Sequence, residues 1–279
     1  MKSIFKSVIA AFSMFSRIPM PQIEWSEGTT RYIMAAFPLV GVVLGGLMLA
    51  FLRLCDFWEL SPVLRALGMT LLPLAVTGGI HLDGLCDTCD ALGAAVSPER
   101  RREILKDPRA GAFGVIGVVT YLLGYFALAL AVNFDGGYRE FLYCLGFIVS
   151  RMLSADAILC FNPAPDGTGR TFHDAAAKKT SRAILVVFAA LAGIAMYAAP
   201  VLMSPADSRA DVKWNSWSLV ASALWLFASA LCYAVLRHTA KRKFEGMSGD
   251  LAGWFLQRCE LWQLAALVAA GVIARRLGG

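Results

Sequence analysis

Long apolar stretches recur along the chain and are separated by short polar segments. Four of them run for 18 or more residues without a charge: Ala35–Leu52, Gly111–Val132, Ala183–Met203 and Trp217–Leu236. A helix rises about 1.5 Å per residue, so each is long enough to cross the roughly 30 Å apolar core of a bilayer. The pattern therefore predicts membrane-spanning helices.

Three further stretches extend this series. Phe141–Phe161 is equally long but contains Arg151 and Asp156, while Ala66–Ile80 and Leu261–Ala274 are shorter. We therefore expect an all-α fold, a polytopic integral membrane protein with about seven transmembrane helices. Charged residues inside a span are costly and either pair with each other or line a cavity, and we expect Arg151 to contact substrate.

Composition agrees with this class. The chain is 58% apolar and 16% charged, with a mean hydropathy of +0.61, whereas soluble domains are about 45–50% apolar and about 25% charged. We find no linker or internal repeat and expect one membrane domain over residues 1–279.

The net charge of +6 comes from basic residues in short loops beside spans, and this position does not indicate nucleic-acid binding. Seven cysteines, an odd number, do not form a disulfide framework.

Most Lys and Arg residues fall in three polar segments, His81–Ala110, Asn162–Arg182 and Arg237–Arg258. Two spans separate each from the next, so all three should lie on one face, which the positive-inside rule makes cytoplasmic. We expect Ser3–Ser16 to form an amphipathic helix at the same interface. The polar segments thus predict a cytoplasmic site.

Asp83, Asp87 and Asp90 follow one another at i, i+4 and i+7. This spacing places three carboxylates on one stripe of a helix, without an interleaved Lys or Arg. Two unit charges about 4 Å apart repel by roughly 4 kcal/mol at an effective dielectric near 20. We therefore expect a bound cation at this stripe, although a solvated acidic face or an ion pathway would also carry such residues.

Mg²⁺ fits the stripe better than zinc, because it takes oxygen ligands from few carboxylates and the chain lacks a His or Cys-His framework. His81 is a candidate base, metal ligand or supporting residue. Cys86 and Cys89 form an isolated Cys-x-x-Cys that should face away from the stripe and pack.

Three other positions are candidates for contact with an anionic substrate or its metal. Arg109 precedes Gly111 and Gly114 at a predicted helix N-terminus, where backbone N–H groups can hold an anion. Arg170 follows a Pro and Gly-rich loop and suits bidentate phosphate contact. Asp250 either caps the last helix or supplies a further metal ligand.

Five sequence boxes, in order along the chain, resemble the cobalamin synthase family of adenosylcobinamide-GDP ribazoletransferases. Gly78–Ala91 matches the family pattern Gly-Gly-x-His-x-Asp-Gly-x-x-Asp-Thr-x-Asp-Ala. Pro108 replaces a common Ser, and Cys86 and Cys89 replace common Ala. The other four boxes are Phe15–Pro21, Phe37–Gly41, Lys106–Gly114 and Gly246–Gly253.

The resemblance implies a multi-pass enzyme of the bacterial inner membrane. Such an enzyme transfers adenosylcobinamide phosphate from adenosylcobinamide-GDP to α-ribazole or its 5′-phosphate and releases GMP, the lower-loop assembly step of vitamin B12 biosynthesis. We expect Mg²⁺ at Asp83, Asp87 and Asp90, with His81 or one aspartate accepting the ribose hydroxyl proton. The same resemblance leads us to assign nucleotide phosphates to Arg109 and Arg170.

Two other functions fit parts of this pattern. A CDP-alcohol-type membrane phosphotransferase also carries spaced aspartates at the membrane boundary, but in the order Asp-Gly-x-x-Ala-Arg, whereas Cys86 and Asp87 stand there in this chain. An ion-coupled transporter would use the aspartates as an ion site but predicts inverted repeats. An oligomer is possible with any of the three functions.

Overall fold

The fold was analysed on a computed structural model that describes residues 2–134, 137–165, 167, 169–202 and 216–277. Within these residues the chain is all-α, as predicted, with one isolated β-bridge between Pro163 and Met247. The helices are α1 (Lys2–Phe15), α2 (Glu27–Thr30), α3 (Ile33–Phe57), α4 (Pro62–Thr77), α5 (Ile80–Gly93), α6 (Pro98–Ile104), α7 (Ala112–Ala131), α8 (Tyr138–Cys160), α9 (Gly169–Ala175), α10 (Lys178–Leu202), α11 (Ser216–Lys243) and α12 (Gly249–Arg276).

Five helices among the described residues are long and apolar enough to cross a membrane: α3, α7, α8, α10 and α11. The bent pair α4 and α5 would make a sixth if it is one span. α12 is long enough to cross a membrane but is not apolar enough to count among them, because its first half contains polar residues such as Gln257, Glu260 and Gln263. The multi-pass class is confirmed, and the predicted span over Ala183–Met203 corresponds to α10, except that Met203 lies outside the described residues.

Contacts between the helix ends distinguish the two ends of the bundle. At what we call the polar end, the Met247 N–H donates to the Asn162 carbonyl (2.8 Å), and Arg102 donates to the Phe244 carbonyl (3.3 Å). The three basic segments therefore meet at one end, as predicted. At the opposite end, Arg53 of α3 pairs with Glu140 of α8 (3.3 Å).

α4 and α12 also run between these two ends. α4 begins at the opposite end, where Arg65 pairs with Asp56 (3.3 Å), and its Val76 carbonyl accepts from the Arg17 N–H (2.7 Å) near the polar end. α12 begins within the third basic segment, and its Gly271 packs against α8 at the opposite end. Five or six described helices qualify as spans by length and composition, so the predicted number of about seven stays a prediction, although α4 and α12 also extend between the two ends.

Gly78 and Gly79 produce the bend that separates α4 from α5. Their φ angles are +67° and +80°, a left-handed conformation that residues with a Cβ rarely adopt. A Cβ on Gly78 would also lie 2.4 Å from Nε of Arg17. The axes of α4 and α5 differ by 96°, so α5 turns across the polar end, where it packs against the first turns of α7 and α12. The span predicted as Ala66–Ile80 therefore ends at Thr77.

Small residues allow the spanning helices to approach closely. A Cβ on Gly41 of α3 would lie 2.4 Å from the Phe147 carbonyl oxygen of α8, and one on Gly45 would lie 2.7 Å from the Cys144 carbonyl oxygen. Such backbone contact is typical of membrane helices, which associate by close packing because lipid provides no hydrophobic driving force. It fixes α8 against α3 along the middle of both helices.

A buried ion pair connects α8 to α12. Nη1 of Arg151 lies 2.8 Å from Oε1 of Glu260, with side-chain exposures of 1% and 4%. Ser150 Oγ donates to the same carboxylate oxygen (2.9 Å). Asp156, considered as a partner for Arg151, instead accepts from the Tyr233 hydroxyl (2.5 Å). The pairing of Arg151 with Asp156 is wrong, because Glu260 is 109 residues away in sequence but adjacent in the fold.

We expect Arg151→Met to lower the free energy of unfolding by about 3–5 kcal/mol, because it leaves the Glu260 carboxylate buried and unpaired. The double variant Arg151→Met/Glu260→Met should recover most of the loss, since neither charge then remains. Thermal unfolding in detergent measures both. Equal destabilisation of the single and double variants would contradict the assignment of this pair to helix packing.

Candidate active site

The predicted stripe of aspartates forms on α5. Asp83 lies in its first turn, and Asp87 and Asp90 follow on the next two turns. α5 packs on α12 on one side and on α7 on the other. The two neighbours give these aspartates different surroundings.

α5 and α12 touch through glycines. A Cβ on Gly84 would lie 2.8 Å from the Asp250 carbonyl oxygen, and one on Gly253 would lie 3.1 Å from the His81 carbonyl oxygen. Because no side chain separates the backbones, Asp250 is brought beside the stripe. The predicted meeting of the first and third polar segments allowed Asp250 to act as a further ligand, and the contact with Gly84 brings it to Asp83.

Asp250 is not the cap of its helix. Ser248 is the N-cap of α12, and its hydroxyl accepts from the Leu251 N–H (3.2 Å). Asp250 lies two residues further on, in the first turn, and lines a cavity together with Asp83. Of the two predicted roles for Asp250, the geometry supports the site and assigns the cap to Ser248.

Asp83, Asp87 and Asp250 form an acidic cluster without a cationic partner. None of the three makes an ion pair within the described part of the chain. Burial raises the pKa of the Asp87 carboxyl to about 6, and the negative charges of Asp83, Asp250 and Asp90 add to the effect. The repulsion inferred from the sequence is therefore present in the fold.

Asp90 differs from its neighbours. Its carboxylate accepts from the backbone N–H of Gly111 (2.6 Å) and of Gly114 (2.8 Å), at the N-terminus of α7. A Cβ on either glycine would come within 2.4 Å of an Asp90 oxygen. The helix N-terminus predicted to hold an anion thus holds the protein's own carboxylate, which explains both glycines and leaves Asp90 less able to bind a metal.

The acidic cluster fits Mg²⁺ in part. No group of three or more His, Cys, Asp or Glu side chains in the described ranges is arranged as a complete metal site. Mg²⁺ commonly keeps several waters and uses one or two carboxylates plus substrate phosphates, so an incomplete cluster suffices for it. Asp83, Asp87 and Asp250 are the residues that could hold it. The expected role of Asp90 as a metal ligand stays a prediction, and its two hydrogen bonds to the start of α7 compete with metal binding.

A cavity of about 240 Å³ opens beside the cluster and is lined by Asp83, Asp250 and His81. His81 is 5% exposed, and its ring lies 6.1 Å from that of Phe15 and 5.6 Å from that of Phe37. Its Nε2 is buried without a hydrogen-bond partner. A buried polar atom without a partner is costly, so this nitrogen is available to a group bound in the cavity.

The predicted phosphate-binding arginines do not line this cavity. Arg109 is 86% exposed and donates to Asp107 (2.8 Å), and Arg170 is exposed and donates to the Pro165 carbonyl (2.9 Å). Arg151 is buried in its pair with Glu260. Contact of these three with substrate stays a prediction, and for Arg151 the geometry indicates helix packing instead.

Two cations that we did not single out lie nearer to the cluster. Arg102 and Lys106 line a smaller cavity of about 120 Å³ together with Asp250. Lys106 is the first residue of the Lys106–Gly114 box, which is the sequence signal that could have identified it. All seven cysteines are free, and Cys86 and Cys89 pack against Gly114 and Gly117 of α7. The expectation that both face away from the stripe is wrong for Cys86, which meets Gly114 together with Asp90 because the two residues are four positions apart on α5.

The chain is similar to proteins of a known family. The family profile described as cobalamin-5-phosphate synthase matches residues 7–268. The chain belongs to this family. The match includes all five boxes and every residue of the acidic cluster, so it covers the site as well as the spans.

Relatives of similar length carry one name. A protein of Lachnoclostridium phytofermentans called adenosylcobinamide-GDP ribazoletransferase is 36% identical over 96% of this chain and 95% of its own length. Proteins of the same name from Leptothrix cholodnii and Clostridium botulinum strain Alaska E43 are 33% and 28% identical, over 90% and 92% of this chain and 90% and 94% of their own lengths. No solved structure matches. The resemblance to cobalamin synthases is therefore confirmed.

We expect Gly84→Ala to reduce turnover at least tenfold and to lower the melting temperature. Helix propensity alone predicts that alanine stabilises α5 by about 1 kcal/mol relative to glycine. A loss of stability would therefore come from the clash of the new methyl group with the Asp250 backbone. Gly124→Ala on α7 is the control, because a Cβ there meets nothing within 4 Å. Normal activity of Gly84→Ala would contradict the close approach of α5 to α12.

We expect Asp90→Ala to lower the free energy of unfolding by about 1–3 kcal/mol, since it leaves two N–H groups at the α7 N-terminus without their acceptor. The loss should be the same with and without Mg²⁺, because Asp90 acts through α7. Thermal unfolding at both metal conditions measures it. A loss seen only with Mg²⁺ would instead make Asp90 a metal ligand.

Proposed function

We propose that this protein is an adenosylcobinamide-GDP ribazoletransferase. It transfers adenosylcobinamide phosphate to a hydroxyl of α-ribazole or α-ribazole 5′-phosphate and releases GMP. The observation that carries the proposal is the match of the family to residues 7–268, which includes the acidic cluster of α5 and α12 at the polar end. Neither a CDP-alcohol phosphotransferase nor a transporter is favoured by this match.

The reaction is a phosphoryl transfer, in which positioning and charge neutralisation provide most of the catalysis. Bound Mg²⁺ would neutralise charge on the pyrophosphate of adenosylcobinamide-GDP. Asp83, Asp87 and Asp250 are the proposed ligands, supported by their mutual repulsion and by the absence of an ion-pair partner in the described chain. Asp90 keeps α5 in place against α7.

His81 is the proposed acceptor for the proton of the attacking hydroxyl. Its unpaired Nε2 is buried beside the cavity that Asp83 and Asp250 line. A neutral imidazole nitrogen in this position can accept a hydrogen bond and then the proton as the hydroxyl attacks phosphorus. The contacts with Phe15 and Phe37 keep the ring oriented.

We further propose that the polar end faces the cytoplasm of a bacterial inner membrane. The three basic segments meet there, and short basic loops stay on the cytoplasmic side during insertion. The nucleotide substrates are soluble and charged, which agrees with a site on that face. α1 exposes Ile4 and Phe5 near this end and supports the proposal of an interfacial helix.

The direct test uses purified protein in detergent, with GMP release and corrinoid product measured together. Adenosylcobinamide-GDP with α-ribazole 5′-phosphate should give both products in equal amounts, only with Mg²⁺. CDP-diacylglycerol offered in its place should give none. Turnover of the lipid substrate alone would overturn the proposal.

We expect Asp87→Asn to reduce Mg²⁺-dependent turnover at least a hundredfold and to raise the melting temperature measured without metal at pH 8. The charge is removed from a cluster in which like charges repel, so stability should increase while function is lost. Glu59→Gln, in an exposed acid at the opposite end that makes no ion pair in the described chain, is the control and should change neither. Retained turnover with normal Mg²⁺ dependence would contradict the metal assignment.

A further inference from the structure

A second cavity, of about 270 Å³, opens at the polar end beside the Pro163–Met247 bridge. We call it the basic cleft. It lies between the end of α11 and the chain that follows α8, and is lined by Cys160, Phe161, Asn162, Arg237, Lys241 and Glu245. None of these residues lines the cavity next to the acidic cluster.

Positive charge dominates the basic cleft. Arg237 and Lys241 are exposed, stand at i and i+4 on α11, and make no ion pair or hydrogen bond in the described part of the chain. Lys178 and Arg182 of α10 lie near enough to Cys160 to act on it electrostatically. Like charges at i and i+4 destabilise a helix, so an anion between them would stabilise α11.

The described acids near the cleft, Glu245 and Asp156, already have partners. Glu245 pairs with Arg102, which belongs to the segment between α5 and α7. Asp156 accepts from the Tyr233 hydroxyl and from the Cys160 thiol (3.2 Å). Among the described residues, Arg237 and Lys241 therefore have no carboxylate partner, and they are available for an external anion.

The basic cleft and the acidic cluster share two chain segments. Asn162 and Gly246 line the cleft, whereas Gly169 and Asp250 line the cavity of the cluster. Only four steps of chain separate Gly246 from Asp250, so their Cα atoms lie at most ~14 Å apart. A nucleotide-sized molecule can extend from one site to the other.

The charges of the two sites fit different phosphates of the proposed reaction. The pyrophosphate of adenosylcobinamide-GDP contains the reacting phosphorus and belongs at the acidic cluster with its metal. The 5′-phosphate of α-ribazole 5′-phosphate is on the same sugar as the attacking hydroxyl but takes no part in bond making. A phosphate that does not react can be bound directly by an Arg and a Lys and needs no metal ion.

We propose that Arg237 and Lys241 bind the 5′-phosphate of α-ribazole 5′-phosphate, so that the enzyme binds this substrate more tightly than α-ribazole. This inference rests on the proposed function. It adds two specificity-determining residues that act on substrate binding and not on the chemical step. α-Ribazole, which lacks the phosphate, gains nothing from them.

The test compares both substrates in Arg237→Gln and Lys241→Gln. We expect KM for α-ribazole 5′-phosphate to rise about ten- to hundredfold in each variant, because a hydrogen bond to a charged group is lost. The KM for α-ribazole and kcat with either substrate should change less than twofold. Arg237→Lys, which keeps the charge, should retain most of the preference.

Arg242→Gln and Lys243→Gln are matched controls, because each removes one charge from the same turn region of α11 outside the cleft. A binding readout accompanies the kinetics. In the wild type, α-ribazole 5′-phosphate should raise the melting temperature more than α-ribazole does, and the difference should disappear in Arg237→Gln/Lys241→Gln.

Failure of the inference and failure of the proposed function give different results. If the wild type turns over neither substrate, the proposed function is wrong. If the wild type turns over both substrates and the variants raise KM for α-ribazole and for its 5′-phosphate equally, the cleft does not bind the 5′-phosphate. If the variants instead raise KM for adenosylcobinamide-GDP, the cleft serves the guanine nucleotide, and the inference is overturned.

Discussion

The close approach of α5 to α12 is the contact on which the site depends. Gly84 and Gly253 place no side chain at the crossing. Gly84 of α5 therefore lies against the Asp250 backbone of α12, and Gly253 of α12 lies against the His81 backbone of α5. Two sequence boxes far apart in the chain thereby form one acidic cluster with one cavity. A methyl group at this crossing would separate Asp250 from Asp83 while leaving every span intact.

Three aspartates on one stripe acquire different roles from their neighbours. The N-terminus of α7 provides two N–H donors to Asp90 and favours its charge, so this residue stabilises the fold. Asp87 has no such donors; burial raises its pKa, and the like charges around it add to the rise. A fold that retains this repulsion is less stable without an ion and gains stability when one binds.

The sequence predicted the class of fold and the meeting of the polar segments, because alternating spans determine which loops share a face. It did not predict the partner of Arg151 or the two hydrogen bonds of Asp90. Glu260 and Gly111 lie 109 and 21 positions away from these residues, and no local pattern encodes such contacts. α12 was also underestimated as a span, because polar residues such as Glu260 and Gln263 lower its hydropathy yet are buried among helices.

Charge at the polar end is segregated. The backbone bridge between Asn162–Ala164 and Met247 joins the segment after α8 to the segment before α12. Asn162 lines the basic cleft, whereas Asp250, three residues after Met247, lines the cavity of the acidic cluster. If Arg237 and Lys241 could fold onto Asp250, both sites would be neutralised by each other and would bind neither a metal nor a phosphate. In the proposed reaction, this separation would let the acidic cluster act on one phosphate through its metal and the basic cleft act on another.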